Sequence, residues 1–522
     1  MRVASSFTPF PRPGYSELYQ ERLSRSLPFN ILRTRQVTGE SADIQHREFR
    51  AGAAGQNGIK AALFYTEGLV ENRAIDQFVL QPIMMQMKSL DTETGHAADL
   101  MTLLEDYYIP ASGVQRVENM GRVIELLNSG STILYLDGVD TALAVDLTGW
   151  KERAIEEPSS QGVIRGPKAG FTESIKTNLS LVRRRINDAS LRYDGQKIGE
   201  ITKTSIVVAY INGIVNEDVL AELKRRLSLI QTDSILESGY VEEFIQETSW
   251  SPFPTLYSSE RPDVVAAQLL EGRVAVFVDG TPFVLVAPAL FGEFFHSPED
   301  YYNRADISSL LRLLRFVSFL IALLGPSIYI AITTFHQEML PTDLLFSLAS
   351  QREGVPFPAL LEAYLMEITF EIIREAGIRM PRAIGQAVSI VGTLVIGQAA
   401  VDAGIVSAAM VIVVSITAIS SFVIPAYNLS ISVRILRFLF MLLAATFGLF
   451  GVSTGLILLA LHLCHMSSFG VPYMAPFAPF QLNEQKDTLI RMPQWLLNKR
   501  PRLLSRNTWR QPPPDKNPAP RK

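Results

Sequence analysis

A single cysteine, Cys464, stands in 522 residues. That scarcity excludes an internal disulfide and a multi-thiolate metal site, and it is compatible with a reducing compartment. A charge excess is missing too. The 48 Lys and Arg against 52 Asp and Glu leave a formal charge of −4, which gives no basis for nucleic-acid binding. The opening MRVASSFTPFPRPGYSELYQERLSRS lacks the apolar core of a secretory signal, so the segment that follows is expected to stay cytoplasmic. Catalytic signatures are also absent: no GxxxxGK[ST] loop, HExxH, GxSxG or dinucleotide glycine fingerprint, and no nucleophile–base pair. Neither an enzyme nor a cofactor is expected. His462, Cys464 and His465 lie together in HLCHM, but they lack the helical spacing and further ligands that a metal needs. We expect no metal there, only a packed core.

What is present points to two parts. Hydrophobic residues make up 48% and charged residues 19%, too apolar for a soluble enzyme and too charged for a wholly membranous chain. The fold class expected is an α/β cytoplasmic region of two similar subdomains followed by a polytopic α-helical membrane domain.

The repeat is visible directly. ALFYTEGLVENRAIDQFVLQPI from Ala62 matches VVAYINGIVNEDVLAELKRRLSLI from Val207, each a β run, a glycine (Gly68, Gly213) and a helical pattern. LLNSGSTILYLDGVDTALAVDL matches LLEGRVAVFVDGTPFVLVAPAL, each two β runs around an Asp-Gly turn, Asp137-Gly138 and Asp279-Gly280. These motifs place subdomains at 56–155 and 195–302, after a flexible arm at 1–55. Between them, 156–194 reads as a basic linker helix ending in Arg183, Arg184 and Arg185. Either that helix is a solvated connector, or its arginines contact a partner or lipid headgroups.

The membrane domain is expected at 303–480 with five or six helical segments, and a basic, Pro-rich, disordered tail at 481–522. Apolar candidates are 315–335, 384–401, 405–426 and 433–466, the last long enough for two helices turning near Gly451–Gly455. Arginines at 304, 312, 315, 379, 382, 434 and 437 mark cytoplasmic flanks. If Arg315 and Arg379 are both inside, an even number of crossings separates them. Either Pro326 breaks the first span, or the glutamate-bearing stretch PALLEAYLMEITFEIIREAG crosses back.

In that stretch Glu367, Glu371 and Glu375 form one helical stripe, with Glu362 off it and Leu361, Leu365, Ile368 and Ile372 on an apolar face. Three readings stay open: an interfacial helix with glutamates toward cytoplasm, a pore-facing helix of an oligomer, or an ion relay in a monomeric transporter. In the next segment Gly385, Ser389, Thr393 and Gly397 make a small-residue packing stripe, while Val388, Val391 and Val395 would suit either ordinary packing or a hydrophobic gate.

Four long stretches carry a family resemblance: RGPKAGFTESIKTNLSLVRRRI, SPFPTLYSSERPDVVAAQLLEGRVAVFVDGTPFVLVAP, PFPALLEAYLMEITFEIIREAGIRMPRAIGQAVSIVGTLVIGQAAV and YNLSISVRILRF. Through them the chain resembles the A subunit of GerA-type spore germinant receptors. The resemblance implies a multi-pass protein of the spore inner membrane with its N-terminal region on the spore-core side. It implies partnership with a transporter-like B subunit and a lipoprotein C subunit. It further implies self-association into a channel for monovalent cations. A secondary transporter and a non-conducting scaffold are the rival expectations.

Overall fold

The computed structural model describes residues 15–51, 59–85, 101–111, 113–149, 157–158, 161–380, 397–482, 484–507 and 509–510. The chain divides into two compact units. The first comprises Met1–Gln246, Leu256–Pro288 and Asn498–Lys522, the second Glu247–Thr255 and Ala289–Leu497.

The first unit holds two five-stranded antiparallel sheets of identical topology. Strands β1 (Ile44–Ala51), β2 (Ile59–Thr66), β3 (Val114–Val117), β4 (Ser131–Leu136) and β5 (Ala142–Asp146) run in the order β1-β2-β4-β5-β3. Strands β6 (Leu191–Ile198), β7 (Thr204–Ile211), β8 (Tyr257–Ser259), β9 (Val274–Val278) and β10 (Val284–Ala287) repeat it as β6-β7-β9-β10-β8. Register repeats as well: Ala61 faces Leu136 and Phe64 faces Ile133, while Ile206 faces Val278 and Ala209 faces Ala275. Helix α1 (Leu27–Thr38) and helix α2 (Met120–Asn128) cover one face of the first sheet, where Ala62, Phe64, Ile133 and Tyr135 are buried. Ala61, Leu63, Leu134 and Leu136 fill a second core on the other face. Burial on both faces explains why β4 reads as a continuous apolar run rather than an alternating one. In the second sheet α3 (Ile175–Arg183) and α5 (Pro262–Leu270) occupy the places of α1 and α2, and α4 (Glu217–Ser228) follows the glycine turn.

The repeats are longer than their motifs. Asp137 of the first Asp-Gly turn accepts from the Leu27 amide at the start of α1, at 3.0 Å. Asp279 does the same for Ile175 at the start of α3, at 3.1 Å. Buried Asn30 bonds the Ser24 backbone through both ends of its amide (3.0 and 2.6 Å), and buried Asn178 bonds Thr172 likewise (2.8 and 2.6 Å). The expected arm therefore ends early, because α1 and edge strand β1 belong to the first repeat. The expected linker helix is α3, the opening helix of the second.

The arginine triplet is corrected in part. Arg184 and Arg185 are exposed, but Arg183 is fully buried. Its guanidinium grips Asp43 at 2.8 and 3.0 Å, donates to the Asp188 and Leu191 carbonyls, and lies over the Tyr193 ring. Asp43 precedes β1 and Arg183 ends α3, so this pair fastens one repeat to the other. It is closed to partners and lipid.

The second unit is helical: α6 (Ala305–Thr334), α7 (Ala359–Arg379), α8 (Ala408–Val423) and α9 (Tyr427–His465). Two of these, α6 and α9, are long and apolar enough to cross a membrane by length and composition. Helix α6 runs unbroken through Pro326, so the proline does not end the span. Helix α9 reverses at Gly448, whose φ of 61° and ψ of −143° only glycine adopts readily. The turn therefore lies just before the expected one. Gly455 sits in the returning segment, where a Cβ would come within 2.9 Å of Leu443 and Phe440 of the outgoing one. Gly455 is a site of close helix approach and not the turn. The valines Val388, Val391 and Val395, and Gly385, Ser389 and Thr393, lie outside the described residues; Gly397 opens a short helix, Gly397–Asp402, and is buried.

A buried ion-pair ladder as the candidate functional site

Two glutamates of α7, Glu362 and Glu367, turn inward. Glu362 and Glu367 are 0% exposed, while Leu361 (53%), Leu365 (42%), Ile368 (48%) and Ile372 (63%) face outward. This is the reverse of an amphipathic helix lying on a water-facing surface, and it overturns the interfacial reading for Glu367. An apolar exterior around a polar interior suits a hydrocarbon solvent.

Each carboxylate has a defined partner. Glu367 meets Arg437 of α9 at 2.5 Å, with both side chains 1% exposed. Glu371, one turn on, meets Arg434 at 2.9 Å and also pairs with Arg374. Glu375 pairs with Arg379 on the exposed end, at 2.6 Å. Because the glutamate number rises as the arginine number falls, α7 runs antiparallel to the first half of α9. Tyr364 extends the ladder by donating to the Phe438 carbonyl at 2.7 Å. At the other end of the helix, Glu362 accepts from the Ser407 amide at 2.6 Å and from its hydroxyl. Ser407 caps α8, so a carboxylate meets the positive end of a helix.

Arg437 has a second duty. A helix carbonyl normally accepts from the amide four residues ahead. For Ala322 that residue is Pro326, which has no N–H. Arg437 Nε fills the vacancy, donating to the Ala322 carbonyl at 2.7 Å. One guanidinium thus ties α6, α7 and α9 together and satisfies the carbonyl that the proline orphans.

A second polar knot lies at the start of α6. Asp300, 1% exposed, is clasped by Arg312 at 2.9 Å and Arg315 at 2.7 Å. Arg312 reaches Asp487 at 3.1 Å, and Tyr301 donates to the same carboxylate at 3.1 Å. Two arginines read as flank markers are therefore engaged internally. HLCHM is not the packed core expected of it: His462, Cys464 and His465 are exposed, and His462 bonds Ser251 Oγ at 2.9 Å.

Sequence reasoning singled out Glu367, Glu371 and Glu375 and saw Arg374 as near enough to offset part of their charge, but it did not foresee Arg434 and Arg437 as partners. It missed Asp300, Asp487 and Ser407 altogether. Pro326 facing an orphaned carbonyl was the one available signal for Arg437.

The chain has relatives among known proteins. Residues 33–503 match the family described as Bacillus/Clostridium GerA spore germination protein. The chain belongs to the GerA spore germination family. Among GerA relatives, spore germination protein KA of Bacillus subtilis is 49% identical over 484 residues, covering 93% of this chain and 88% of that protein. Spore germination protein GerLA of Bacillus cereus is 40% identical, covering 90% and 94%. A B. subtilis relative named as an uncharacterized membrane protein, YfkQ, is 46% identical, covering 93% and 92%. The crystal structure of the N-terminal domain of the A subunit of the Bacillus megaterium germinant receptor GerK3 is 41% identical, covering 52% of this chain and 98% of that one with a TM-score of 0.41.

Proposed function

We propose that this GerA-family chain is the A-type membrane subunit of a nutrient germinant receptor, and that its copies associate into a ligand-gated channel for monovalent cations in the spore inner membrane. The orientation of α7 carries this reading. Its apolar face is outward, Glu362 and Glu367 are buried on its inner side, and its 21 residues span about 32 Å at helical rise, enough for a hydrocarbon core of about 30 Å. The antiparallel pairing of α7 with α9 supports the reading in which the glutamate stretch crosses back. Residues from both flanks of the helical unit fold into the first unit, which supports an even number of crossings with the N-terminal region and tail together on the core side.

Within this reading the ladder braces the pore wall. Glu367 and Glu371 hold helices, Glu375 is the carboxylate placed to meet cations, and Val388, Val391 and Val395 form the gate. Gly385, Ser389, Thr393 and Gly397 give the helix its close packing. The transporter-like B subunit supplies nutrient recognition, and the lipoprotein C subunit completes the complex.

The test is purification of the full chain with its B and C partners, sizing in detergent, and potassium flux from liposomes after nutrient addition. A ring of copies with nutrient-triggered flux is expected, and Val391→Ala should leak without nutrient. A monomer with gradient-coupled solute uptake would replace the channel by a transporter. An intact complex without flux would leave a scaffold.

A further inference from the structure

The two repeats differ in how the glycine turn is closed. In the first, the chain leaving β5 folds back on the glycine turn: Thr148 bridges Val70, the Gly149 amide donates to the Leu69 carbonyl at 3.2 Å, and Leu147 is buried. The equivalent turn in the second repeat is Ile214–Val215, after Gly213. There the chain leaving β10 cannot return, because beyond Pro288 it enters the helical unit.

The C-terminal segment takes that position instead. Ser505 bridges Val215 in the same antiparallel sense, the Arg506 amide donates to the Ile214 carbonyl at 3.2 Å, and Leu504 is 0% exposed. Leu504-Ser505-Arg506 thus reproduces Leu147-Thr148-Gly149 residue by residue: a buried leucine, a bridging hydroxyl residue and a donated amide. Ser505 Oγ adds a bond to the Ile214 carbonyl at 2.9 Å, and Asn216 donates to the Leu503 carbonyl at 3.2 Å. The glycines agree. A Cβ on Gly130 would lie 2.9 Å from Thr148, and one on Gly272 would lie 2.7 Å from the Leu504 carbonyl and 2.9 Å from Ser505. Outside the groove, Arg500 donates to the Leu270 carbonyl at 2.6 Å and Arg506 pairs with Glu217 at 2.8 Å.

We propose that the second repeat carries a segment-acceptor groove, formed by Ile214–Asn216 and Gly272, whose ligand is the chain's own Leu504-Ser505-Arg506. The groove recognises an extended segment by main-chain hydrogen bonds, with a pocket for leucine and glycine-lined room for the backbone. The expected disordered tail is, in this stretch, the missing closing segment of an α/β repeat. This proposal is independent of any channel activity.

The test uses full-length protein in detergent with Cys464→Ala. Val215→Cys with Ser505→Cys places two thiols at bridged positions, within the Cα spacing a disulfide needs. Val70→Cys with Thr148→Cys is the internal control. We expect both pairs to oxidise to a similar extent within one chain, identified by the cross-linked peptide. No disulfide at 215–505, or one joining two chains, overturns the proposal; the latter would mean that a second copy donates the segment. Hydrogen exchange covers the possibility that cysteine variants misfold. In the unaltered chain the Arg506 amide should be protected as the Gly149 amide is. Leu504→Asp should lower protection at Arg506 at least tenfold and leave Gly149 unchanged, whereas equal protection in Leu504→Asp and the unaltered chain refutes the groove.

Discussion

Replacing Arg437 by methionine removes the partner of Glu367 and the donor to the Ala322 carbonyl in one step. Leaving a buried carboxylate unpaired costs about 3–5 kcal/mol, and an orphaned buried carbonyl adds about 1–3 kcal/mol. The single change should therefore cost about 4–8 kcal/mol. Adding Glu367→Leu removes the stranded charge, so the double variant should retain only the cost of the orphaned carbonyl, about 1–3 kcal/mol. Adding Pro326→Ala restores an N–H four residues beyond Ala322, so the triple variant should lie within about 1 kcal/mol of the original. The order single, double, triple is thus one of increasing stability with increasing mutation. Thermal unfolding in detergent reads it out; for a unit of this size about 2–4 °C accompanies each kcal/mol. A double variant as unstable as the single one would refute the stranded carboxylate as the main source of the loss. A triple variant no better than the double would refute the pairing of the proline with the orphaned carbonyl.

Two further outcomes follow from the first unit. Asn30→Ala and Asn178→Ala should each cost about 2–3 kcal/mol in chemical denaturation, since each loses two buried hydrogen bonds; a large cost at only one would break the equivalence of the repeats. Glu242, in the helix Ser238–Ile245, has its carboxyl pushed up to about 7 by burial and then by the charge of Glu237. The fold therefore favours its neutral form. Its contribution is full below about pH 4.5, falls as pH rises toward 7, and is flat beyond. Hydrogen exchange of that helix should reveal a loss of about 3 kcal/mol across this window, and Glu242→Gln should abolish the slope.

Local signals made half of each repeat legible. The glycine turns and Asp-Gly hairpins announce themselves within a few residues, and both sheets contain them as expected. The opening helix and strand of the first repeat gave no such signal, and the opening helix of the second was legible only as a linker. SLPFNILRTRQVTG is short of apolar residues and rich in Arg and Thr, and its tertiary cap, Asp137, lies 110 residues ahead of Leu27. The helical unit divides the same way. Long apolar runs disclosed α6 and α9, but Glu367 and Arg437 are 70 residues apart, so neither predicts the other. Helix periodicity placed the glutamates on one stripe correctly. It could not say which way the stripe faced, because that is set by the arginines of α9 that Glu367 and Glu371 meet.

The tail that closes the second repeat also sets a schedule. Between Pro288, where the second sheet is finished, and Arg506, where its groove is filled, the ribosome must add 218 residues (506 minus 288). At about 5–20 residues per second that takes about 10–40 s. During that interval the nascent chain presents an unfilled leucine pocket and an unpaired turn at Ile214–Val215, while its helical unit is still being made. The α/β unit is thus the first part of the chain to be synthesised and the last to be sealed.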